Sequence, residues 1–127
     1  MKSQDTRKVV LVVEDSPTQS IHTKMLLEQR NLRVVLASNR QTGLYLAQSL
    51  LPNLIILDLE LPKVNGYEVS RALVSSENTR QIPVILMTRF SKDECAEQGI
   101  DVENLRYIPK DAFSSAILLE MLKQMGF

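Results

Sequence analysis

Apolar residues concentrate in five short runs: Val9 to Val13, Leu32 to Ala37, Leu54 to Leu57, Ile82 to Met87 and Leu105 to Pro109. The runs are largely unbroken rather than alternating, which predicts strands covered on both faces, as in a parallel sheet. Period alone does not separate a short buried strand from a helix segment. For Leu54 to Leu57 the short length, the isoleucines and the flanking Pro52 and Pro62 decide for the strand. Pro83 is tolerated near the start of the fourth run.

The intervening segments read as helices. Ser16-Pro17 supplies an N-cap and first turn, opening a helix from about Pro17 to Arg30 with Ile21, Met25 and Leu26 at helical spacing. Ser38-Asn39 caps a second helix reaching roughly Leu50, with Leu44, Leu46, Ala47 and Leu50 as candidate core positions, and Pro52-Asn53 breaks it. A third begins near Asn65 and carries Val69, Ala72 and Leu73 inward. The segment from Ser91 to Gln98 is polar, short and followed by Gly99. A closing helix runs from about Ala112 to Met125 with Phe113, Ala116, Ile117, Met121 and Leu122 inward.

Strands alternating with helices predict an α/β doubly wound parallel sheet of five strands with five flanking helices. The flavodoxin-like order 2-1-3-4-5 is the simplest candidate. At 127 residues the chain reads as one expected domain, 1–127, with residues 1–7 as a polar leader and no effector domain expected. Fifteen basic and fifteen acidic residues cancel, which gives no reason to expect nucleic acid or an anionic membrane as partner. The single cysteine, Cys95, cannot form an internal disulfide and fits a reducing compartment. With neither a signal-peptide core nor a membrane-length apolar run, the expected location is the cytoplasm.

In a parallel sheet the residues just past the strands' carboxyl ends share one rim. The predicted strands deliver Glu14, Asp15, Asp58, Thr88 and Lys110 to it. At ~4 Å and an effective dielectric of ~20, each carboxylate pair repels by about 4 kcal/mol. Such a cluster calls for raised pKa values or a cation, and oxygen-only ligands suit Mg²⁺. Lys110 offers a positive charge and Thr88 a donor, as a transferring phosphoryl group requires. Asp58, on the third strand between the other contributors, is the candidate nucleophile, forming an aspartyl phosphate.

Five markers at compatible spacings make the chain recognisable: Glu14-Asp15, Asp58 in a D-x-x-[LM]-P-x-x-[DN]-G context, Thr88, Tyr107 and Lys110. They resemble the receiver domain of bacterial two-component response regulators over essentially the whole chain. The resemblance implies that Asp58 accepts phosphate from a phosphohistidine, the donor being a histidine kinase or phosphotransfer protein. It implies a Mg²⁺ held by Asp15, Asp58, Glu14 (directly or through water) and the backbone carbonyl of Glu60. Thr88 and Lys110 would bind the phosphoryl oxygens. Thr88 and Tyr107 would then move together and alter a surface read by a downstream protein target. Homodimerisation stays open. The implied chemistry is self-phosphorylation and autodephosphorylation, not turnover of a separate substrate.

Three positions depart from the family pattern. Arg89 replaces a small residue after Thr88 and is expected to reach solvent or a carboxylate, slowing access of small phosphodonors. Asp111 replaces the proline after Lys110. A cis bond there without proline costs about 2.5–4 kcal/mol, so a trans bond is expected, with Lys110 shifted and Asp111 free to cap the last helix. Gly99 and its polar neighbours predict a short or irregular fourth helix and so an unusual output surface. His22 reads as a surface residue and Cys95 as an inert buried thiol.

A receiver-like interaction module working without phosphorylation is the alternative function. An aspartyl-phosphate phosphohydrolase would want a second Asp and a Thr where Glu60 and Pro62 stand. A flavodoxin would need a hydroxyl- and glycine-rich loop after the first strand.

Overall fold

Five strands pair in parallel in the computed structural model, which describes residues 5–58, 71–100 and 105–127. β1 (Val9–Glu14), β2 (Arg33–Ala37), β3 (Leu54–Asp58), β4 (Val84–Thr88) and β5 (Arg106–Pro109) lie in the order β2-β1-β3-β4-β5. The predicted doubly wound order is therefore the observed one. Flanking the sheet are α1 (Pro17–Glu28), α2 (Arg40–Leu50), α4 (Lys92–Glu97) and α5 (Ser114–Gln124). Residues 71–75 are helical and are called α3 here. The predicted start of this helix near Asn65, and Val69 on it, lie outside the described residues.

Alternation along the strands divides the core into two layers. Leu11, Val13, Ile55, Leu57 and Leu86 point to the side that holds Ala47 of α2, Leu73 of α3 and Cys95 of α4. Val10, Val12, Leu54, Ile56, Ile85, Met87 and Ile108 point to the other side, against Leu27 of α1 and Leu118 and Leu122 of α5. β1, β3 and β4 are buried through almost their whole length, which is why their sequences are unbroken apolar runs. Gly43 of α2 lies so close to β1 that a Cβ there would stand 2.8 Å from Val13 Cγ2.

Helix caps follow the sequence. The Ser16 hydroxyl accepts from the Gln19 N–H with Pro17 in the first turn, and the Asn39 side chain accepts from the Thr42 N–H. The short polar α4 is closed at both ends. Ser91 and Glu94 form a reciprocal capping box. Gly99, at φ 83°, lets the Ile100 N–H reach back to the Cys95 carbonyl. Helix four is thus short, as expected.

The helix faces differ from expectation in three places. In α1 the buried residues are Ser20, Thr23 and Leu27, while Ile21 and Met25 are exposed. Small polar residues suit this close helix–sheet contact, and the Ser20 hydroxyl is satisfied by the Glu14 carbonyl at 3.3 Å. In α5 the buried pair is Leu118 and Leu122, whereas Ala116, Ile117 and Phe113 face solvent. That helix is apolar almost all round, so its spacing does not fix which stripe faces the sheet. Leu50 of α2, also expected in the core, is exposed. Among the described residues no helix is long and apolar enough to cross a membrane.

Candidate functional site

The strand pleat decides which side chains meet at the carboxyl rim. Glu14 continues the Val10–Val12 face and Asp58 the Leu54–Ile56 face, both toward α1 and α5. The two are direct partners in the β1–β3 register. Lys110 follows Ile108 on that same side, and its backbone N–H donates to the Thr88 carbonyl at 2.8 Å. Thr88 and Tyr107 belong to the opposite pleat, toward α4.

Both carboxylates are buried, Glu14 at 1% exposure and Asp58 at 2%. Lys110 Nζ forms an ion pair with Asp58 Oδ1, stands 3.9 Å from Glu14 Oε2 and donates to Gln19 Oε1 at 2.9 Å. Glu14 Oε1 accepts from the Ser16 N–H at 3.3 Å, but its buried Oε2 has no hydrogen-bond partner. Burial, reinforced by the Asp58 charge, pushes the Glu14 carboxyl up to about 7 even though Lys110 opposes the shift. Lys110 thus stands between two buried carboxylates, and the raised Glu14 carboxyl is the response expected of crowded acids.

The neighbouring Asp15 is exposed. Among the described residues no three acidic, histidine or cysteine side chains gather closely enough to hold a metal ion. Of the expected ligand set, Glu14 and Asp58 are therefore together, Asp15 is not drawn in beside them, and Glu60 lies outside the described residues. The donors present still fit a hard cation: they are oxygen atoms, negatively charged, and one is buried without a partner.

A cleft of about 500 Å³ leads from Asp58 to solvent between α1 and the start of α5. Gln19 and His22 of α1, Arg89 after β4, and Lys110 and Asp111 after β5 line it. Arg89 is exposed on the cleft wall, and His22 is exposed as expected for a surface residue. No peptide bond among the described residues is cis, so Lys110–Asp111 is trans, in line with the missing proline. Asp111 does not cap α5 at the N-cap position, which Phe113 occupies. Its carboxylate instead accepts from the Phe113 N–H at 2.7 Å, fixing the turn that leads into the helix.

On the α4 side, Thr88 is fully buried and its hydroxyl accepts from the Phe90 N–H at 3.2 Å. The half-buried Tyr107 donates its hydroxyl to the Phe90 carbonyl, and Lys92 of α4 stands over its ring at 5.7 Å. Phe90 thus touches both residues of the expected switch pair. Cys95 is fully buried and its thiol is pushed up by that burial, which suits an inert core residue. Sequence reasoning missed Gln19, because a neutral side chain in a first helical turn belongs to no motif. The only available signal was its place on α1, four residues after the Glu14-Asp15 pair.

The family model for the response regulator receiver domain matches residues 10–123. The protein PilH of Pseudomonas aeruginosa is 34% identical over 85 residues, covering 67% of this chain and 69% of PilH. Two longer curated relatives also match, and the chain spans 42% and 52% of their lengths. Among solved structures, the receiver domain of a signal transduction histidine kinase from Syntrophus aciditrophicus is 30% identical. It superposes with a TM-score of 0.80 over 93% of this chain and 89% of that one. The receiver domain of the sensor histidine kinase PA1611 of P. aeruginosa, described with a magnesium ion coordinated in its active-site cleft, is 26% identical. Its TM-score is 0.76, over 94% of this chain and 97% of that one. The match across nearly the whole chain, on the predicted fold and with the acids, Thr88 and Lys110 at one rim, places this chain in the response regulator receiver family.

Proposed function

We propose that Asp58 is the phosphoacceptor of a two-component phosphorelay. The observation that carries this reading is the buried Asp58 carboxylate at the head of an open cleft, ion-paired to Lys110 and in register with Glu14. An Asp58 oxygen attacks the phosphorus of a phosphohistidine. The P–O bond forms as the P–N bond breaks, and the imidazole nitrogen leaves with the bonding electron pair. Lys110, released from the Asp58 oxygen that becomes the bridging atom, is placed to follow the phosphoryl oxygens. Thr88, at the end of β4 on the opposite pleat, would have to turn its hydroxyl away from the Phe90 N–H to meet the same group.

Glu14, Asp58, Asp15 and the Glu60 carbonyl would hold Mg²⁺, whose charge offsets the carboxylates and the incoming phosphoryl group. The magnesium described for the PA1611 receiver supports this assignment by similarity. Donors reach Asp58 past Arg89, which favours a protein donor that can displace it over a small acyl phosphate. The readout would be a protein target on the surface around α4, β5 and α5, reached through Thr88, Phe90 and Tyr107. The chain is in this reading a signalling phosphoprotein of the cytoplasm, not a turnover enzyme.

The contending reading, an interaction module without phosphorylation, draws on Arg89 and Asp111, the two departures from the family pattern that line the cleft. Incubation with Mg²⁺ and a phosphodonor separates the two. A phosphoryl adduct on the wild type that Asp58→Asn abolishes is the expected result. No adduct under forcing conditions would favour the interaction module.

A further inference from the structure

The lysine that must meet the phosphoryl group sits at the start of a loop without the proline that usually follows it. Lys carries a flexible four-carbon stem with many rotamers, so its ammonium needs partners to hold it over the cleft. The backbone is anchored through the Lys110 N–H to the Thr88 carbonyl. That bond fixes the Cα and leaves the side chain to find its own partners.

Among the oxygens that meet Lys110 Nζ closely are Asp58 Oδ1 and, at 2.9 Å, Gln19 Oε1. Glu14 Oε2, at 3.9 Å, acts through charge alone. The Asp58 contact must change when that carboxylate becomes an acyl phosphate, whereas the Gln19 contact need not. Gln19 is itself well placed for the task. It is the third residue of α1, its N–H is held by the Ser16 N-cap hydroxyl at 3.4 Å, and Pro17 pre-sets the turn. Its side chain is a neutral acceptor, which orients an ammonium without adding a third charge to a site already holding two buried carboxylates. A carboxylate there would also repel the incoming phosphoryl group.

From this geometry we infer that Gln19 is a positioning residue that holds Lys110 in the cleft from α1 before and after phosphoryl transfer. The inference rests on the phosphoacceptor reading of Asp58. Gln19→Met keeps the length and removes the acceptor. It is expected to slow phosphorylation by a small-molecule phosphodonor with Mg²⁺ about 10- to 150-fold, the range for losing a hydrogen bond to a charged group. In a Lys110→Met background the same substitution is expected to change the rate less than twofold, because its target is gone.

An equal effect in both backgrounds, or none in the wild type, would overturn the inference. A second measurement does not depend on phosphorylation. The Lys110 ammonium should give a slowly exchanging NMR signal in the metal-free wild type, assigned by its loss in Lys110→Met. In Gln19→Met the signal is expected to weaken or vanish; an unchanged signal would overturn the contact. If the wild type takes up no phosphoryl group, the proposed function fails and this NMR arm alone still decides the role of Gln19.

Discussion

Glu14 shows how one strand position converts into a measurable charge effect. It is in register with Asp58, buried, and has one oxygen without a hydrogen-bond partner. Burial and the Asp58 charge raise its carboxyl from 4.5 to about 7 in the fold. A folded-state value above the unfolded one means the native state binds the extra proton. The stabilisation is present in full below pH 4.5 and is lost as pH rises through about 7. Without divalent metal, Glu14→Gln should therefore change stability by less than about 1 kcal/mol at pH 5 and raise it at pH 8 by about 3 kcal/mol. Urea unfolding at the two pH values measures this, and a variant less stable than wild type at pH 8 would refute it. The meeting of Glu14, Asp58 and Lys110 was legible in the sequence, since strand ends of a parallel sheet share a rim. The reach of Gln19 across from α1 was not, because it depends on how that helix is rolled against the sheet.

At the scale of elements, strands and most helix ends were readable, the start of α5 excepted, and helix faces were not. A strand buried on both sides needs apolar residues at every position, so β1, β3 and β4 declare themselves. Caps are equally local, and Ser16, Asn39 and Ser91 all act where their residue types suggest. The rolled orientation of a helix is a tertiary property. In α1 it buries Ser20 and Thr23 in preference to Ile21 and Met25, and in α5 it buries Leu118 in preference to its neighbour Ile117. Adjacent substitutions in α5 expose the difference. Leu118→Ala should cost about 2–5 kcal/mol, as for other buried leucines. Ile117→Ala, at 37% exposure, should cost well under half as much. Equal losses in a denaturant titration would mean that α5 presents the other stripe to the sheet.

For the whole molecule, acidic and basic residues balance at fifteen each, so no global field steers ligands toward the rim. What the fold creates is a local concentration of charge, two buried carboxylates with Lys110 beside them and Arg89 on the same cleft wall, at the open end of a neutral domain. A divalent cation that binds only the folded state must stabilise it, by about 2.7 kcal/mol at a hundred times its dissociation constant. Its pH dependence should oppose that of the metal-free protein, because a proton on Glu14 competes with the metal for the same oxygens. The increase in melting temperature on adding Mg²⁺ is therefore expected to be largest near pH 8 and to shrink as pH falls below about 7, where Glu14 takes up its proton. Asp58→Asn should abolish most of the increase at every pH. Lys110→Met should enlarge it, since the ammonium now on Asp58 is the cation that Mg²⁺ has to work against. A shift that is flat between pH 5.5 and 8 and indifferent to Asp58 would place the cation elsewhere on the molecule, and Glu14 and Asp58 would then be a lysine-neutralised pair with no part in metal binding.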